Sequence, residues 1–180
     1  MLIARNKKRE NIAEYLLYMW QIEDLIRACN LNIETIQIKL IDGYDQPNEV
    51  KKEIREWYES LIDMMKRENV VERGHLQINK NILIELGDLH DCLMDSSKEP
   101  IYKMIYYKVL PLVVELRSKS GASETEEIET CLNFMYGLLI LRIQKKEISK
   151  DTLEASDLIS EFLRLLSDKY KKDKEEGLDL

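Results

Sequence analysis

Apolar residues recur along nearly the whole chain at intervals of three and four, and that period admits one kind of element. Between residues 48 and 69, Val50, Ile54, Trp57, Leu61 and Met65 follow one another at spacings of four, three, four and four. At 3.6 residues per turn such positions share one face of a helix, whereas a half-buried strand would alternate. Ile78, Ile82, Leu86, Leu89 and Leu93 repeat the pattern, as do Ile128, Leu132, Met135, Leu139 and Ile143. The one alternating stretch, "IQIKLI" at 36–41, has no second strand pattern to pair with and is read as helix. Only three prolines and six glycines punctuate the 180 residues. The prediction is an all-α, single-domain bundle of six to seven helices over residues 1–170, with a disordered charged tail at 171–180.

The segments follow from stripes and breaks. A first helix runs from about Arg5 to Cys29, and Asn32 is placed to cap a short second one. "DGYDQP" at 42–47 makes a turn before the third helix, 48–69. "ENVVERGHLQINKN" is irregular and separates it from a fourth, 78–94. The fifth, from residue 101, is apolar nearly all round to 116, should kink at Pro111 and closes at Gly121. The sixth spans about Glu124 to Lys146, and the seventh about Lys150 to Tyr170. Phe134, Leu138 and Leu141 lie off the main stripe of the sixth helix yet are apolar, which makes them candidate interface residues. Helices five and six are therefore expected either at the centre of the bundle or at a homodimer contact.

A formal charge of −7 disfavours binding to a phosphate backbone, so nucleic acid is not an expected partner. The basic run "RNKKRE" at 5–10 reads as a solvated first turn. No stretch has the 18 or so apolar residues of a spanning helix, so a membrane is not expected either. "MLIARNKKREN" carries charges where a signal peptide has its apolar run, and the expected location is cytoplasmic. Cys29, Cys92 and Cys131 are too scattered for a zinc set or a disulfide framework, and each is expected to be a buried thiol.

One residue breaks the pattern. In "ENIAEYLLYMWQIEDLIRACN", residues 10–30, Glu23 sits inside the arc of Ile12, Leu16, Met19, Ile22 and Ile26. A buried carboxylate needs a partner, and Arg27 stands four residues on in the favourable orientation. Glu115 and Arg142, at the edges of other apolar faces, could join the two in one interior network, with Tyr102 and Tyr106 beside it. Such a network reads first as a structural device that sets helix register, and otherwise as a pocket for a small polar ligand.

Catalytic patterns are missing from the sequence. It holds no Gly-x-Ser-x-Gly elbow, phosphate loop or dinucleotide fingerprint. Of its two histidines, His75 falls in the irregular stretch and His90 has no strong metal ligand one helical turn away. Glu85 and Asp88 are spaced like ligands, but His90 points elsewhere. No metal site and no cofactor are expected. The leading functional expectation is a non-enzymatic protein acting through protein–protein contacts, as a homodimer. A small-molecule-binding, sensor-like domain is the alternative, and an enzyme comes third.

Several segments carry a resemblance: "ENIAEYLLYMWQIEDLIRA", "EIREWYESLIDMM", "GHLQINKN", "YYKVLPLVVELRSKSG" and "LRIQKKEIS". Over roughly residues 1–170 they resemble a family of uncharacterised helical proteins from gut Bacteroidetes, a domain of unknown function. The resemblance implies an all-helical fold and a bacterial cytoplasmic origin, and it carries over no catalytic or binding residue.

Overall fold

Asn11 divides what the periodicity joins. Its backbone is extended, and its Oδ1 accepts the amide of Glu14 at 3.0 Å, so it caps a new helix. Helix α1 (Leu2–Glu10) thus ends at a corner, and α2 (Ile12–Ala28) starts there. Ser167, far along the chain, donates to Asn11 Oδ1 at 3.0 Å and accepts the amide of Ala13 at 3.3 Å, which locks the corner from outside. The computed structural model describes residues 2–121 and 126–178. Among them the elements after α2 are α3 (Ile33–Ile36), a π-helical turn (Gln37–Ile41), α4 (Asn48–Arg67), α5 (Gln77–Asp95), α6 (Pro100–Ser120), α7 (Glu127–Ile143) and α8 (Lys150–Glu176). The fold is all-α, with one helix more than expected because the first is broken at Asn11.

Several local expectations are met. Asn32 caps α3 through Thr35 N at 2.9 Å, and Gly121 closes α6 in the left-handed conformation. "IQIKLI" is helical, with its last five residues in a π turn. Helix α6 runs through Pro111, which lies on an exposed face. Helix α8 continues to Glu176, through most of the tail expected to be disordered. Residues 179–180 of that tail lie outside the described residues, as does Glu124, the expected start of the sixth helix.

The core forms where α2, α4, α5, α6, α7 and α8 meet. Trp20, Tyr58, Tyr102 and Phe162 are its largest fully buried side chains. Helices α7 and α8 each pack against α2, α5 and α6 as well as each other. Of the two helices expected at the centre or at a homodimer contact, α7 lies at the centre and α6 buries one of its faces there. Helix α6 buries Tyr102, Ile105, Tyr106, Val109 and Val113, but leaves Ile101, Met104, Tyr107 and Val114 in the open. The candidate interface residues of α7 divide. Leu138 is 3% exposed and packs inward, while Phe134 and Leu141 are half-buried. Cys29 and Cys131 are buried, but Cys92 is exposed, contrary to expectation. Burial pushes the Cys131 thiol up to about 12, as suits an inert group.

Candidate functional site

Glu23 is wholly buried, and its partners come from more than fifty residues away. Oε1 accepts the backbone amide of Leu76 at 3.0 Å and the side-chain amide of Asn79 at 2.7 Å. Oε2 lies 2.6 Å from His75 Nδ1. Leu76 is the residue that opens α5, and its own side chain cannot cap a helix. The Glu23 carboxylate does so from α2, where its negative charge meets the partial positive charge of the α5 N-terminus. Glu68 adds a second carboxylate, accepting the amide of Gln77 at 2.6 Å.

Arg27 is not the partner of Glu23. Its guanidinium pairs with Asp24 at 2.8 Å and donates to the carbonyls of Val70, at 3.0 Å, and Gly74. Glu23 and Arg27 therefore grip the same irregular loop, 68–76, from adjacent turns of α2. The imidazole of His75 stacks on Trp20 with centroids 4.3 Å apart, and Tyr136 meets Trp20 edge-on while donating to Asp24 at 2.6 Å. Glu115 and Arg142 take no part. Both are exposed, and Glu115 pairs with Lys119 on its own helix. The expected four-membered interior network is corrected to Glu23 alone among charged groups, with His75 and Asn79 as its side-chain partners.

Tyr102 and Tyr106 belong to a second cluster, around His90. This histidine is 6% exposed, and its Nδ1 lies 2.6 Å from Tyr102 Oη. Its ring packs against Tyr106 and Phe162. Nε2 is 3.6 Å from Glu127 Oε2, an oxygen that also accepts the hydroxyl of Tyr106, and Arg117 lies 3.8 Å from the other carboxylate oxygen. Burial holds both phenols above their ordinary value, so both stay protonated. The Glu127 carboxylate facing Nε2 favours the ring hydrogen there, which leaves Nδ1 to accept from Tyr102.

Burial pulls His90 below the ordinary histidine value, against the weaker opposing pull of Glu127 and Asp91. The folded protein therefore favours neutral imidazole, and on acidification the unfolded chain takes up the proton first. Stability present above the unfolded value of about 6.5 is lost as the pH falls toward the depressed folded value. Thermal midpoints taken from about pH 7.5 down to about pH 5.5 should fall in the wild type. They should fall less steeply in His90→Asn, which keeps an acceptor for Tyr102 but no titrating ring. Equal slopes would contradict a buried neutral His90.

Both histidines line one cleft of about 880 Å³. Lys80, Leu83, Ile84, Gly87, Asp91 and Met94 form one wall, at helical spacing along roughly 20 Å of α5. Tyr106 and Arg117 of α6 and Glu126–Glu129 at the start of α7 form the other. A carboxylate that takes three donors acts as acceptor throughout, so His75 donates from Nδ1 and leaves Nε2 on the far side of the ring. No hydrogen bond engages that atom among the described residues. Neither histidine stands out in the sequence, because the partners of each lie on other elements and not one turn away on the same helix. The available signal was "GHLQIN", which packs a histidine and an asparagine around a helix start that lacks its own cap.

The family described as domain of unknown function DUF4924 matches residues 1–177. The chain belongs to that family. No curated protein and no solved structure matches it. Among the described residues no group of three or more His, Cys, Asp or Glu side chains is arranged to hold a metal ion, and no helix is long and apolar enough to cross a membrane.

Proposed function

We propose that this chain is a non-enzymatic binding protein whose cleft along α5 takes a small organic amine. The observation that carries the reading is the convergence of the only two histidines on one cleft, each held through Nδ1 by an internal partner. Rings fixed in this way present a defined atom to a ligand without the entropy of ordering a side chain. His75 offers a ring nitrogen, Nε2, for a hydrogen bond with a ligand. The charges agree. Asp88, Asp91, Glu126, Glu127 and Glu129 line the cleft against Lys80 and Arg117, and an acid-rich concavity concentrates cations. Leu83, Ile84 and Met94 supply apolar wall for a hydrocarbon part. A bacterial cytoplasmic setting, implied by the resemblance to proteins of gut Bacteroidetes, belongs to the same proposal.

The test is titration calorimetry with linear diamines and polyamines, beside neutral and anionic analogues of equal length. Amines should bind with an affinity that falls as salt rises. Gly87→Leu is the informative variant, because a Cβ there meets nothing within 4 Å and a longer side chain projects into the open cleft. The substitution should raise helix stability by about 0.5–1 kcal/mol and abolish amine binding. Equal binding by anions, or binding unaffected by Gly87→Leu, would refute the reading.

A further inference from the structure

We infer that two copies of this chain pair through the outer face of α6, antiparallel, about a two-fold axis between Tyr107 and Lys108. Ile101, Met104, Tyr107 and Val114 are 65%, 52%, 60% and 58% exposed. With exposed Pro111 they follow at spacings of three, three, four and three, which is one face of one helix. The fold does not use this face, since the opposite side of α6 already supplies Tyr102, Ile105, Tyr106, Val109 and Val113 to the core.

Area favours a partner of this size. The four side chains expose about 450–500 Å² per copy, near the upper end of the largest patch on an ordinary monomer. Pairing two such faces hides roughly 1,000 Å² before flanking residues are counted, which brings the contact to the lower bound of a specific interface.

The order of residues points to a second copy. A two-fold contact needs a surface complementary to itself, and this stripe reads nearly the same in both directions. Antiparallel pairing sets Met104 against Pro111 of the other copy on both sides of the axis. The two-fold keeps each side chain on its own side of the seam, so the Tyr107 rings meet each other along one rim and the exposed Lys108 lies beside its own counterpart along the other. Antiparallel helix dipoles also attract.

The experiment is light scattering coupled to size exclusion on the full chain, from about 1 to about 100 μM, where a weakly held dimer dissociates on dilution. The wild type should approach twice the 21.3 kDa of one chain. Met104→Glu should give a monomer whose thermal midpoint equals that of the wild type at concentrations where the wild type is also dissociated, because the side chain lies outside the core. Lys108→Cys, in a Cys92→Ser background, should form a disulfide-linked dimer on mild oxidation, since only a residue beside the axis meets its own counterpart. A wild-type monomer throughout the range would overturn the proposal, as would a dimer that survives Met104→Glu or fails to cross-link at 108. A wild-type monomer that binds lipid vesicles through this face would overturn it too, in favour of a membrane surface.

Discussion

Truncating Glu23 to alanine should destabilise the protein by about 3–5 kcal/mol, the range for breaking a buried charged cluster by removing one member. Three donors would be left in the interior without an acceptor: the Leu76 amide, the Asn79 side chain and His75 Nδ1. The α5 N-terminus would lose its main charge complement, because Leu76 cannot cap it. In a chain of this length such a loss lowers the thermal midpoint by about 10 °C. Glu23→Gln should cost less, about 1–2 kcal/mol, since the remaining carbonyl oxygen still accepts from Leu76 and Asn79 while the new amide opposes His75. Urea denaturation of both variants measures the effect. Equal, small losses for the two would mean that the carboxylate is neither buried nor engaged as described.

Phe162→Ala should rank with it, at about 3–5 kcal/mol. The ring is fully buried on α8, with centroids 5.9 Å from His90, 5.6 Å from Tyr102 and 5.8 Å from Tyr106. Removing it opens a void under the floor of the cleft, where α5, α6 and α8 meet. The denaturation midpoint should fall with little change in slope. If the alanine variant does not fold, Phe162→Leu keeps most of the volume and should lose about 1–2 kcal/mol. A leucine variant as stable as the wild type would show that the aromatic contacts contribute nothing beyond volume.

The helices were legible because a period of 3.6 is a local property, repeated often enough to outweigh single residues. The break at Asn11 was harder to see. Apolar positions continue through it with little change of phase, and the corner is held partly by Ser167, over 150 residues away. The place of α6, at the centre or at a contact, stayed open in the sequence on the same principle. Composition shows that a helix is apolar all round, but not whether each side has something to pack against. The tail misled in the opposite direction. Its polarity suggested disorder, yet α8 carries the helix on to Glu176 from a long buried stretch, and Lys174 of that extension reaches Glu85 at 2.9 Å.

The candidate site divides in the same way. From the wheel alone Glu23 stood out as a carboxylate in an apolar face that required partners, and the structure supplies them. Arg27 was the obvious partner only because side chains four residues apart on a helix are the sole contacts a sequence displays directly. The actual partners come from a loop whose irregular backbone leaves amides to be satisfied. His90 likewise acquires its character from Tyr102 and Glu127, which reach it from α6 and α7.

By itself, then, the amino-acid order determined which segments are helical, which faces of them turn inward, and that one charged group would have to be compensated in the interior. Those features follow from short-range sterics and from the free energy of removing apolar surface from water. Only the tertiary structure decided who compensates Glu23, that both histidines open on one cleft, and that the outer face of α6 stays uncovered. These depend on contacts between residues distant in the chain, where many pairings satisfy the same local pattern and packing selects one.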